Sequence, residues 1–366
     1  MKHRYDDVIY LCRVALGFVK PDNERVARLN KENIYSLARR HSLSVLVAYG
    51  IEACGLADEK SREIIAKAYQ REILYDNELG LVKSELGAAS IWFMPLKGAI
   101  LKGYYPKPGM RTFSDYDILC DSNRMEDVKD IMVSLGFDVK QYGGFVDDIY
   151  IKKPFFNFEM HRMLFTKIKG DLRYKYYEDV NKRFVKTDGF EYAFTDEDFY
   201  IYMMAHEYKH YMGSGTGIRS LIDTYVYLIS KKLDMDCIKR ECEKMGIAEF
   251  EDKNRRLAIA LMEGRELTDE LMAMYEYIIG SGTYGNPDNC IANDMKIHGT
   301  SKFRYVMRRI MVPVRKSNPR YEDFECKYPI FYRHKILLIF LPGYRFVKAC
   351  KRGKVAKEMK ALVRKK

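Results

Sequence analysis

The run IWFMPLKGAILKGYYPKPGMRTFSDYDILC, residues 91–120, decides the fold. Ile91 to Leu96 is a short, apolar, β-prone stretch that stops at Lys97-Gly98. Ala99, Ile100, Leu101 and Tyr104 then suit a short helix. A Pro/Gly-rich loop, Tyr105-Pro106-Lys107-Pro108-Gly109, leads to Ser114-Asp115-Tyr116-Asp117-Ile118-Leu119-Cys120, which alternates like a strand. Strand, turn, helix, loop and strand within thirty residues predict a mixed α and β region.

Asp115 and Asp117 are separated by one residue, so on a strand their side chains share a face while Tyr116 and Ile118 take the other. Two carboxylates side by side repel unless a cation, a proton or an arginine stands between them. A second strand is expected at Phe156-Asn157-Phe158-Glu159-Met160-His161, with Glu159 and His161 opposite the apolar Phe156, Phe158 and Met160. If the strands are neighbours, Asp115, Asp117 and Glu159 converge. Such hard oxygen ligands suit Mg²⁺, or Mn²⁺ in its place. Taken alone, an Asp-x-Asp pair is also a common solvated strand face. Upstream, Gly98 follows a strand and opens a helix, where backbone N–H groups can face a phosphate. Lys97, Arg111 and Ser114 are placed to contact phosphoryl oxygens, although a plain turn and surface side chains explain them equally well.

Outward from this stretch the chain reads as helix on both sides. Residues 1 to about 85 are helical, with Asn30 capping one segment and Ser61 capping a longer run to about Leu86. A helix is expected over Met125–Leu135, with Asn123 as its cap and Gly136 as its stop. Strands follow at about 147–152 and 155–161, separated by Lys153-Pro154. The helical period returns from Thr195 to about Gly246 and again over 250–280, and 281–300 reads as an exposed loop. The expected organisation is an N-terminal helical region (1–85), a mixed sheet domain (86–190), a helical domain (191–300) and a C-terminal segment (301–366), giving an α+β protein.

The chain has 366 residues, 47% of them hydrophobic and 31% charged. That composition excludes global disorder and low-complexity architectures and is long enough for two or three domains. The longest apolar run, Ile336–Leu341, is far short of the ~20 residues a spanning helix needs. The charged opening MKHRYDDVIYLC lacks a signal-peptide pattern, so a cytoplasmic protein is expected. Eight cysteines without a CxxC pair read as reduced thiols. Of the net charge of +12, residues 301–366 carry 20 Lys+Arg against 4 Asp+Glu, and the rest of the chain is slightly acidic. The body is therefore unlike a surface that grips nucleic acid.

The linked string Leu96-Lys97-Gly98-Ala99 … Tyr105-Pro106 … Gly109-Met110-Arg111 … Asp115-Tyr116-Asp117-Ile118-Leu119, followed by Phe158-Glu159-Met160-His161, resembles the uncharacterised bacterial nucleotidyltransferase family. Through it the chain resembles the nucleotidyltransferase fold of the DNA polymerase beta superfamily. The likeness spans roughly residues 25–230, including Ile34–His41 and the His206/His210 region. It implies metal-dependent transfer of a nucleoside monophosphate from a nucleoside triphosphate to an unknown hydroxyl acceptor. Asp115, Asp117 and Glu159 would hold the metal, and Lys97, Gly98, Arg111 and Ser114 the nucleotide. His161, His206 and His210 would stand behind the metal or beside the substrate. Where the superfamily has Gly-Gly or Gly-Ser, this chain has Gly98-Ala99, which keeps open a nucleotide-binding protein without turnover.

His206-Glu207-Tyr208-Lys209-His210 also matches H-E-x-x-H, the zinc-hydrolase pattern, but the third-ligand position of its longer form is Thr216. The basic tail interleaves arginine and lysine with aromatics. A packed amphipathic segment is the plainest reading, peripheral membrane contact through 334–366 the next, and nucleic acid the last.

Overall fold

Among the described residues a seven-stranded mixed sheet forms the centre of the molecule. The computed structural model describes residues 5–168, 171–299, 301–315, 318 and 321–351. In chain order the strands are β1 (Phe93–Pro95), β2 (Tyr116–Cys120), β3 (Asp138–Gln141), β4 (Asp147–Lys152), β5 (Phe156–His161), β6 (Val185–Asp188) and β7 (Glu191–Ala193). They lie in the order β3-β4-β5-β2-β1-β7-β6. β2 is central, antiparallel to β1 and parallel to β5. Its register with β5 sets Asp117 directly opposite Glu159.

One face of the sheet is covered by the helix Glu59–Ala88, whose buried apolar positions are Tyr75, Val82 and Leu86. That stripe repeats at helical spacing and meets Tyr116, Ile118, Phe158 and Met160. Tyr75 also ties the helix to the sheet, donating to the Phe155 carbonyl at 2.8 Å and accepting from the Asn157 N–H at 3.0 Å. The other face, with Leu96 and Leu119, packs on the helix Asp196–Met212. The molecule is thus α+β, with helices flanking a mixed sheet.

The helices within residues 5–85 share a core with later segments. Val8, Leu11, Leu37 and Val47 share one core with Ile222, Leu257 and Ile278 from beyond the sheet, because short helices cannot bury an apolar stripe against themselves. The sheet also runs past residue 190, since β7 pairs with β1.

Several local expectations are corrected. The long helix is capped by Asp58, with Ser61 completing a capping box three residues later, so the cap lies three residues before the expected one. The stretch 250–280 is helical as expected, in two helices, Ala248–Glu263 and Asp269–Ser281, the first ending at Gly264, whose φ is +76°. The expected loop 281–300 contains the helix Pro287–His298. There Asn286 accepts from the Asn289 N–H and Pro287 holds the first helical position, so what read as a loop signal is a helix start. Asn123 does not cap the helix Met125–Ser134; it lies in a short 3₁₀ turn capped by Asp121.

The described residues of the C-terminal segment form the helices Lys302–Ile310, Tyr321–Lys327 and Pro329–Arg333, then a 3₁₀ turn, Lys335–Ile339, and a helix, Leu341–Lys351. Tyr321, Phe324, Tyr332, Leu338 and Leu341 make a small core of their own. The part of 334–366 beyond residue 351 lies outside the described residues.

Candidate functional site

Period-two alternation turns β2 and β5 into a two-sided object: apolar rings on the helix side, and Asp117, Glu159 and His161 on the other. These three can offer ligand atoms all within 4.8 Å of one another. They lie in a cleft of about 960 Å³, which is also lined by Asp115, Ser114, Lys97, Gly98 and Arg111. The structure therefore brings the residues of the Asp-x-Asp stretch and the distant Glu159 to one cavity. Asp115 stands immediately before the strand rather than on it.

Asp117 is almost fully buried. Its Oδ1 accepts from Lys97 Nζ at 2.6 Å and from His161 Nε2 at 2.9 Å. Since an ionised carboxylate only accepts, His161 carries its proton on Nε2 here. Burial works against the Asp117 charge, yet Lys97 and His161 outweigh it and hold the carboxyl well below its usual range. Glu159 is more weakly countered, with His161 Nε2 at 3.9 Å. Burial first, then the charges of Asp117 and Asp115, push it up to about 7. Asp115 is raised by burial and by Asp117. This arrangement concentrates more negative charge than one ammonium group neutralises, which is what a bound divalent cation corrects. His161 Nδ1 is buried without a hydrogen-bond partner. Asp117, Glu159 and His161 could hold a divalent metal ion between them, the carboxylate oxygens being ligands for a hard cation.

Lys97 reaches Asp117 from a backbone held at φ +47°, a left-handed conformation that costs a non-glycine residue about 1–3 kcal/mol and concentrates at functional sites. At Gly98 a Cβ would lie 2.4 Å from Arg111 Nη1, so the guanidinium packs on the turn only because the residue is glycine. Arg111 itself is buried and bound to Asp223: Nε donates to Oδ1 at 3.2 Å and Nη2 to Oδ2 at 3.0 Å. The Tyr105 hydroxyl adds a bond to the same carboxylate at 2.7 Å. Arg111 therefore joins the loop before β2 to the helix Ile218–Ser230, and those two nitrogens are committed to the wall of the cleft.

His206 and His210 lie one turn apart on the polar end of the helix Asp196–Met212 and line the same cleft, with their Nε2 atoms 3.2 Å apart. Burial and nearby ammonium groups push His210 down to about 4 and His206 well below its ordinary value, so both are neutral near pH 7. Glu207 is turned towards Ser220 and Thr216, and the one group among the described residues that could hold a metal ion contains neither His206 nor His210. The H-E-x-x-H stretch places His206, Glu207 and His210 along the wall of the cleft.

Reading by local pattern missed several lining groups. Lys209 and Arg219 come from the helical region, and Lys327, Arg345 and Lys348 from the C-terminal segment. Arg219 donates to the Thr112 carbonyl at 3.1 Å, and burial together with Arg111 lowers its affinity for its proton. The only sequence signal for Lys327, Arg345 and Lys348 is the basic character of the tail. A family model described as an uncharacterised nucleotidyltransferase matches residues 28–263, and the chain belongs to that family. No curated protein and no solved structure gave a match.

Proposed function

Proceeding from a chain that belongs to the uncharacterised nucleotidyltransferases, we propose metal-dependent transfer of a nucleoside monophosphate from a nucleoside triphosphate to a hydroxyl acceptor. The observation that carries this reading is the β2–β5 register, which sets Asp117 against Glu159 on the floor of an open cleft. Asp115, Asp117 and Glu159 would hold Mg²⁺ or Mn²⁺, with His161 orienting Asp117 from behind. When bound, the cation would neutralise charge on the triphosphate and on the leaving pyrophosphate.

In this reaction the acceptor oxygen forms a bond to the α-phosphorus. The bond from that phosphorus to the bridging oxygen breaks, and pyrophosphate leaves. Glu159 orients the acceptor hydroxyl and takes its proton. Lys97, Gly98 and Ser114 flank the phosphates. Lys209, Arg219, Arg345 and Lys348, which line the cleft, add positive charge for the polyphosphate. Arg111 acts by holding the wall in place through Asp223.

A second reading, nucleotide binding without turnover, draws on the Lys97–Asp117 pair. An internal ammonium at 2.6 Å already balances the aspartate, so a nucleotide could be held without a metal, and Gly98-Ala99 lacks the usual small hydroxyl. Calorimetry with nucleoside triphosphates, run beside a pyrophosphate-release assay with Mg²⁺, separates the two. Transfer predicts binding with release, and at least about a hundredfold loss of release in Asp117→Asn. Asp115→Asn, at a less buried position, guards against misreading a folding defect. Binding without release in the unmodified chain supports the second reading, and unchanged release in both variants would end the first.

A further inference from the structure

The C-terminal segment leaves an apolar stripe uncovered. In the 3₁₀ turn Lys335–Ile339, residues three apart eclipse one another. Leu338 enters the small core together with Leu341, while Ile336 and Ile339 point elsewhere and are 80% and 78% exposed. Phe340, at 64% exposure, continues the stripe, and Tyr344 and Val347 follow at helical spacing, both exposed. Large apolar side chains grouped in this way on a surface mark a contact with another phase or molecule.

The charges interspersed with the stripe in sequence are of one sign. From 329 to 351 there is no Asp or Glu, and Arg333, Lys335, Arg345, Lys348 and Lys351 are interspersed with the apolar residues. Residues 352–366, outside the described part, add seven Lys+Arg and one Glu in sequence. No helix among the described residues is long and apolar enough to cross a membrane. Protruding apolar side chains interspersed in sequence with cations alone are the arrangement with which a segment lies in the headgroup region of an anionic bilayer, apolar side inward and ammonium groups at the phosphates. A bilayer also requires no shape-matched groove. We infer that Ile336, Ile339, Phe340, Tyr344 and Val347 form a docking surface for an anionic lipid bilayer. The same helix lends Arg345 and Lys348 to the cleft, so a docked membrane lies next to the site. The inference stands whether or not the cleft turns over nucleotides.

The test is co-sedimentation of the full chain with phosphatidylcholine vesicles and with phosphatidylcholine–phosphatidylglycerol vesicles. The chain is expected to pellet with the mixed vesicles, to be released by raised salt, and to stay in solution with neutral ones. Ile336→Ser/Ile339→Ser/Phe340→Ser should bind the mixed vesicles at least about tenfold more weakly, with an unchanged near-ultraviolet circular dichroism spectrum. Arg333→Glu/Lys335→Glu, which leaves the stripe intact, should weaken binding to the mixed vesicles alone. Absence of binding, or equal binding by the serine variant, overturns the proposal. So does stripe-dependent self-association without vesicles, which would assign the surface to a second copy of the chain, or salt-sensitive binding of nucleic acid in place of vesicles.

Discussion

The two faces of the β2–β5 pair are built from alternate residues of the same strands and share almost no chemistry. On one, Tyr116, Ile118, Phe158 and Met160 pack against Tyr75, Val82 and Leu86 in a core of rings and branched chains. On the other, Asp117, Glu159 and His161 crowd together with Lys97 at the floor of a cleft. The apolar face gains by removing surface from water. The charged face is held against mutual repulsion and desolvation, so its geometry depends on the rigidity of the face behind it. A crowded carboxylate site on a thin sheet is tolerable because the opposite side is so heavily packed.

The sharpest way to separate the faces is to damage the packed one. Phe158→Ala should lower stability by about 4 kcal/mol, as for other large-to-small changes at buried aromatic positions. It would be read as a fall in the denaturant midpoint, while nucleotide binding per folded molecule survives at low temperature. Loss of binding in the folded variant would show that the faces are not separable. Next in size, Lys97→Met removes the ammonium from the largely buried Asp117 and should cost about 3 kcal/mol, in line with breaking other buried pairs. Because the variant leaves more uncompensated negative charge, Mg²⁺ should raise its melting temperature more than that of the unmodified chain. Equal shifts in both would dissociate Lys97 from the cation site. The smallest effect is expected from Tyr75→Phe, which keeps the ring and deletes only the hydroxyl that bridges Phe155 and Asn157. A loss of about 1–2 kcal/mol in chemical denaturation would match a single bridging group, and no loss would mean that the ring alone holds the long helix to the sheet.

Much of this contrast is readable in the chain. Asp117, Glu159 and His161 fall on one side of their strands, and Phe156, Phe158 and Met160 on the other, by alternation alone. Where alternation is missing, reading fails. β3 and β6 are exposed at every residue, so nothing in their composition repeats with a period of two, and the β6–β7 hairpin goes unseen. Arg111 shows another kind of limit. As a lone arginine ahead of two aspartates it reads as a phosphate ligand, yet its Nε and Nη2 are bound to Asp223, 112 residues away. Lys348 reaches the cleft from the far end of the chain without any local mark beyond its charge.

Side-chain alternation, helix caps and the sign of each segment's charge are local properties, set by backbone geometry and residue type within a few positions, and the amino-acid order determined them. Which carboxylate lies opposite which, what neutralises Asp117, and which helices close the cleft were decided only in the folded chain. Those pairings join residues 20 to more than 100 positions apart. Closing such loops costs entropy that is repaid only when whole faces are buried together, so no short stretch of the chain contains the answer.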